Sequence, residues 1–101
     1  MSQIIPTVVG DAYAITFDAS LSGVQVFFVA RYRVGTSGWY LDAELADGTS
    51  LGHGIRLCPG SEVAIDLTKD GAPSGLLYCI GEDLLRRDQL GVSAWLAWVP
   101  S

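Results

Sequence analysis

Val24-Gln25-Val26-Phe27-Phe28-Val29-Ala30-Arg31-Tyr32-Arg33-Val34, followed by Gly35-Thr36-Ser37-Gly38 and then Trp39-Tyr40-Leu41-Asp42-Ala43-Glu44-Leu45, is the stretch whose reading decides the fold. Successive side chains of a strand point to opposite faces. Val24, Val26, Phe28, Ala30 and Tyr32 therefore share one face, and Gln25, Phe27, Val29, Arg31 and Arg33 the other. The first half of this strand is apolar on both sides, so cover is expected on both. Gly35 and Gly38 supply two residues free to take positive φ in a four-residue connection, and alternation resumes at Trp39. That is the pattern of a hairpin. Trp39, Leu41, Ala43 and Leu45 then face one way and Tyr40, Asp42 and Glu44 the other, until Asp47-Gly48 marks the next tight turn.

The same period of two continues outward from this hairpin. Upstream, from Ala12, the series Tyr13, Ile15, Phe17 alternates with Ala14, Thr16, Asp18, as in a strand with one buried face. Downstream, Leu51–Leu57 and Glu62–Leu67 read as short strands separated by Cys58-Pro59-Gly60-Ser61, where proline interrupts any ladder. Lys69-Asp70-Gly71-Ala72-Pro73-Ser74-Gly75 has the composition of a loop. Leu76–Ile80 and Gly91–Val99 are the last strands, the second ended by Pro100. Only Gly81–Leu90 has helical character, since Glu82 and Asp83 precede Arg86 and Arg87 in the order that suits a helix dipole. At most one short helical turn is expected, near residues 82–88. Six to eight short strands joined by glycine and proline turns, with no alternating helices, predict an all-β fold, a small antiparallel β-sandwich or barrel. The 101 residues have the length of one domain and show no linker, repeat or low-complexity tract, so residues 1–101 are expected to form a single unit.

Composition narrows the function. The apolar set makes up 50% of the chain and charged residues only 17%, against about 25% charged in an average protein. A small core cannot absorb that much apolar surface, and part of it is expected to cover an assembly surface. The net charge is −5 at pH 7 and no basic cluster exceeds the pair Arg86-Arg87, so direct nucleic-acid binding is not expected. Apolar runs such as Val26–Ala30 fall far short of the roughly 18 to 20 residues of a membrane helix, and no membrane role is expected. Met1–Pro6 has no basic n-region, long apolar h-region or small-residue cleavage site, so a secretory signal is not indicated. Cys58 and Cys79 are too few and too far apart for a disulfide scaffold or a zinc knuckle, and two reduced, buried thiols are expected.

Catalytic chemistry finds little support. His53, in Leu51-Gly52-His53-Gly54, is the only histidine; a metal site would need a carboxylate or the two cysteines to converge on it. A nucleophilic set of Cys58, His53 and Asp66 has no local signature. Neither Gly-x-Gly-x-x-Gly nor Gly-x-x-x-x-Gly-Lys precedes a helix, and Gly52 and Gly54 read instead as bulge or close-approach positions. Glu82, Asp83 and Asp88 lack the ligand spacing of a calcium loop. No enzyme activity, cofactor or metal is expected. Among the aromatics, Trp39 is in register with Leu41 and Leu45, and Trp98 with Val92, Ala94 and Leu96, so both face inward. Trp95 alternates onto the opposite face with Ser93 and Ala97, which makes it an interface candidate.

Trp39-Tyr40-Leu41-Asp42, Asp47-Gly48-Thr49, Leu51, Gly54-Ile55, Leu57 and Pro59-Gly60, in this order and spacing, resemble the middle of the small baseplate plug proteins of contractile-tailed bacteriophages. Ile5-Pro6 with Tyr13-Ala14-Ile15-Thr16-Phe17-Asp18, and Trp98-Val99-Pro100, resemble the family's two ends, so the likeness covers most of the chain. Two features depart from it. The family's first strand runs into a tight Asp-Gly turn, whereas Asp18-Ala19-Ser20-Leu21-Ser22-Gly23 reads as a longer connection, and Leu51-Gly52-His53-Gly54 is richer in glycine.

The resemblance implies a structural component of the virion, in the tail baseplate and assembled in the host cytoplasm. It implies a plug at the axial channel near the junction of tube and hub, closing it before contraction. The partners it implies are other baseplate proteins, namely hub, tube or sheath-initiator proteins and the tape measure protein, with three or six copies around the axis. Val24, Val26, Phe27, Val29 and Trp95 are the residues expected to form the interface. The rival expectation is a small β-sandwich recognition module that binds sugar or peptide through exposed Trp39, Tyr40, Trp95 and Trp98.

Overall fold

The computed structural model describes residues 3–7, 12–82 and 86–101, with the backbone alone of Arg87. Eight strands lie in these residues: β1 (Gln3–Ile5), β2 (Ala14–Leu21), β3 (Val24–Arg33), β4 (Gly38–Leu45), β5 (Ser50–Arg56), β6 (Ser61–Glu62), β7 (Gly75–Gly81) and β8 (Ala94–Pro100). They form two four-stranded sheets, in the orders β1-β8-β7-β6 and β2-β3-β4-β5. Every named pairing is antiparallel. One core joins the two, with Ile5, Leu77, Cys79, Leu96 and Trp98 from the first sheet against Val26, Phe28, Ala30, Trp39 and Leu41 from the second. The fold is the expected all-β domain, and of the two forms expected it is the sandwich.

The central hairpin behaves as its alternation predicts on one side. Val26, Phe28 and Ala30 are buried, with Val24 and Tyr32 packed partly against the core, and Trp39, Leu41, Ala43 and Leu45 are buried with them. Phe17 stacks on Phe28 with ring centroids 5.1 Å apart. The other side of β3 is not covered, for Phe27 is 40% exposed and Val29 only half-buried. The turn also differs from expectation. Neither Gly35 nor Gly38 takes a positive φ; Ser37 does, at φ 50°, closing a 3₁₀ turn over Val34–Thr36 by donating its N–H to the Val34 carbonyl. Gly38 is small for another reason, since a Cβ there would stand 3.0 Å from the Arg56 guanidinium.

Several other boundaries move. The connection after Asp18 is not long, because β2 continues to Leu21, which pairs with Val24. Ser22 and Gly23 alone make the turn, at φ 50° and 81°, and two consecutive positive values are what tight hairpins with right-handed strand twist need. β1 joins the edge of its sheet through Ile4↔Ala97 and Ile5↔Leu96. The expected strand Glu62–Leu67 survives only as Ser61–Glu62. Val63 and Ile65 still point into the core, but the backbone changes sheets beneath them, Val63 N–H bonding to Leu77 and Asp66 N–H to Leu51. A segment that crosses between sheets cannot continue one ladder. Likewise residues 91–93 form a turn before β8, and Val92 is 72% exposed rather than aligned with Trp98. The short helical turn expected near residues 82–88 is a 3₁₀ turn at Arg87–Gln89; residues 83–85 lie outside the described residues.

Candidate assembly surface

With both inner faces committed to the core, the chemistry of this domain is carried by the two outer faces. On the β1-β8-β7-β6 sheet, pairing places Ile80 beside Trp95, Tyr78 beside Ala97 and Ala97 beside Ile4, and Leu76 beside Val99. Since paired residues share a face, these seven side chains form one continuous apolar sheet surface. Ile4, Leu76, Ile80 and Val99 are exposed, Trp95 and Tyr78 half-buried. Charge stands at its margins, with Glu62 opposite Tyr78 on the edge strand β6 and the exposed Glu82 just beyond Ile80, its N–H bonded to the Ser93 carbonyl. An apolar grid of this kind on an outer sheet face makes it the candidate assembly surface.

The outer face of the β2-β3-β4-β5 sheet is its opposite in character. Its rows read Asp18, Phe27, Glu44; then Thr16, Val29, Asp42; then Ala14, Arg31, Tyr40, Arg56. Asp42 is the hub of the middle row. It is bound by Arg31, by His53 through Nδ1 at 3.1 Å and by the Gly54 backbone N–H at 2.7 Å. Burial alone would raise the Asp42 carboxyl, yet the Gly54 N–H, Arg31 and His53 together hold it below the usual carboxylate value. The Gly54 N–H is free to point at Asp42 because β5 bulges. Leu41 faces Ile55 while Ala43 faces Gly52 and Glu44 faces Ser50, and Gly54 takes φ 65°. Gly52 and Gly54 are thus the bulge that their spacing suggested. A shallow concavity of about 260 Å³ lies over this network, lined by Phe27, Val29, Arg31, Glu44 and His53 among others.

At the far end of the same face, Tyr40 is clasped by two guanidinium groups. Arg33 lies 4.5 Å and Arg56 5.7 Å from its ring centroid, and Arg56 donates to the Tyr40 hydroxyl at 3.1 Å. The hydroxyl donates onward to Thr36 Oγ1 at 3.0 Å. The bond to Thr36 leads the influences that lower the Tyr40 pKa, with the Arg56 bond and charge adding to it against a smaller opposing effect of burial.

The expected interface residues separate in three dimensions. Val26 is wholly buried and Val24 is half-buried with its side chain packed against the core; Phe27 and Val29 lie on the polar sheet's outer face, and Trp95 lies on the apolar one. Ile4, Leu76, Ile80 and Val99 join Trp95 on that face, and the signal in the sequence is that Leu76–Ile80 is apolar at every position, as Val26–Ala30 is. Trp39 and Trp98 are fully buried, and Trp98 Nε1 donates to Ser22 Oγ at 3.1 Å. The flat aromatic platform of a recognition module is therefore not present as expected.

The considered catalytic sets do not assemble. His53 turns to Asp42, while Asp66 accepts from the Thr68 N–H and hydroxyl. Cys58 is exposed, not buried as expected, and Cys79 is buried; burial, with a smaller effect of Cys58, pushes the Cys79 thiol up to about 11. Among the described residues no three His, Cys, Asp or Glu side chains group as metal ligands. Asp83 of the acidic trio lies outside the described residues.

A small two-sheet domain with a broad apolar outer face has the surface expected of a structural module that packs in a larger assembly. The family model for the cyanophage baseplate Pam3 plug gp18 matches residues 2–101. The chain belongs to this family of phage baseplate plugs and is a structural protein of the virion tail. Among curated proteins no relative matches it.

Proposed function

We propose that this plug, acting as one domain, lodges in the axial channel near the junction of tube and hub, closes it before contraction, and is assembled there in the host cytoplasm. The apolar outer face of the β1-β8-β7-β6 sheet is its seat against hub and tube proteins, with Trp95 the largest side chain in the contact. The observation that carries this reading is the grid of Ile4, Leu76, Tyr78, Ile80, Trp95, Ala97 and Val99. Each Å² of apolar surface withdrawn from water there is worth about 25 cal/mol. Closure is steric, and the plug yields when contraction alters the seat.

Cryo-electron microscopy of the tail tip of the particle that encodes this chain tests the proposal. The expected map shows a small β-domain on the axis between tube and hub, with β7 and β8 against a neighbouring protein. Density on the outer rim, or a particle that lacks the chain, refutes it.

A further inference from the structure

The second outer face is charged at its two ends with opposite signs. At one end Asp18 and Glu44 flank the exposed Phe27; at the other stand Arg31, Arg33 and Arg56, three of the six Lys and Arg residues in the whole chain. Arg31 is compensated by Asp42. Arg33 and Arg56 are in no ion pair among the described residues and are held instead around Tyr40. Asp18, Glu44, Arg33 and Arg56 are all exposed. Val29 sits midway along β3 between Phe27 and Arg31, about 7 Å from each at the rise of a strand.

We propose that this face binds a second copy of the chain, face to face, about a two-fold axis running across the strands at Val29. Such an axis reverses the strand direction and keeps each strand over its own counterpart, so the acidic row of one copy lies over the basic row of the other. Glu44 then falls over Tyr40 of the second copy, between its Arg33 and Arg56. Phe27 falls over Arg31, an arrangement in which a guanidinium faces an aromatic ring. The contact is self-complementary, as a two-fold interface must be. At each end Glu44 meets the Arg33 and Arg56 pair while Asp18 falls over Ala14, beside Arg31. At the axis each Asp42 faces its counterpart with its own Arg31 bound to it. Four strands by about nine residues give a footprint of roughly 600 Å² per copy, at the lower bound of specific pairs. The association is consequently weak and salt-sensitive. It uses the sheet opposite to the proposed seat, so its failure leaves that seat untouched.

The test is sedimentation of the full chain at about 50 mM and about 500 mM salt, a range over which screening of exposed charges increases severalfold. Pairs are expected at low salt, with affinity at least about tenfold weaker at high salt. Arg33→Glu with Arg56→Glu, and separately Asp18→Lys with Glu44→Lys, each reverse one end and are expected to abolish pairing. Mixing the two double variants restores opposite charge at both ends and is expected to restore a mixed pair. Circular dichroism confirms that each variant is folded. As a second measurement, Val29→Cys in a Cys58→Ser background is expected to couple to itself through a short bis-maleimide, because Val29 lies on the axis. Wild-type chain that remains monomeric at low salt overturns the proposal, as do pairs indifferent to charge reversal, a mixture that fails to associate, or absence of the Val29→Cys cross-link.

Discussion

Gly81→Ala tests how closely β7 and β8 must approach to hold the apolar face flat. Gly81 pairs with Ala94 at the end of the ladder and takes φ +123°, a region where a side chain costs about 1 to 3 kcal/mol. A Cβ there would stand 2.2 Å from the Ser93 carbonyl oxygen and 2.5 Å from Ala94 Cα. Both obstacles are backbone, so relief requires the strands to part. Parting them sacrifices the bond from Glu82 N–H to the Ser93 carbonyl, 2.9 Å long, at about 1 kcal/mol, and loosens the packing of Ala94 beside it. The expected loss is about 3 to 5 kcal/mol, or a fall in Tm of more than about 12 °C for a domain of this size. Gly23→Ala is the control. Gly23 also has positive φ, +81°, but a Cβ there meets nothing within 4 Å, so only the conformational cost of about 1 kcal/mol applies. Thermal unfolding of both variants by circular dichroism decides the matter. If Gly81→Ala melts within about 4 °C of Gly23→Ala, the close approach of the two strands is not the constraint inferred here.

Trp95→Asp, at a half-buried position of the outer face, should leave the domain folded with a Tm lowered by less than Leu77→Ala lowers it, yet abolish incorporation into tail particles; normal incorporation would remove Trp95 from the seat. Leu77→Ala, at a wholly buried position, should cost about 2 to 5 kcal/mol in urea unfolding, and a loss under 1 kcal/mol would contradict its place in the core. A thiol-alkylating reagent should modify one cysteine, Cys58, in the folded protein and Cys79 only on unfolding, since the latter is both buried and shifted up to about 11; mass spectrometry of the digested product distinguishes them. Asp42, Asp47 and Asp66 are all held below their usual carboxylate value in the fold. Their stabilising contribution is therefore full above the unfolded value and is lost as pH falls through the lower folded values. Tm followed against pH should be level with respect to these groups above about pH 5 and fall below about pH 4, with a smaller fall in Asp42→Asn.

The strand pattern was legible wherever side chains alternate between a polar and an apolar face. Ala14 to Asp18 and Trp39 to Leu45 fall within β2 and β4, and Trp39 and Trp98 point inward as their register required. It misled where local order and tertiary path disagree. Val63 and Ile65 alternate like strand residues, yet the chain beneath them is crossing from Leu77 to Leu51. Ser22-Gly23 was hidden inside a longer connection because Ala19-Ser20-Leu21 has weak strand propensity by itself, and pairing with Val24–Val26 is what extends β2 to Leu21. The outer faces were only partly legible. Alternation puts Trp95 on the face away from Trp98, as the structure has it, whereas Val26 is buried, because a strand apolar on both sides does not reveal which side the second sheet will cover.

What the sequence determined by itself is therefore the all-β class, the hairpin at Val24–Leu45, the excess of apolar side chains over charge, and membership in a family of structural plugs. These follow from period, composition and motif order, which are properties of the chain alone. Only the tertiary structure decided which excess stays outside. Inner and outer faces of a strand are equivalent until a second sheet packs on one of them, and it is the stacking of β1-β8-β7-β6 on β2-β3-β4-β5 that buries Val26 and Leu77 while leaving Phe27, Leu76, Ile80 and Trp95 turned outward.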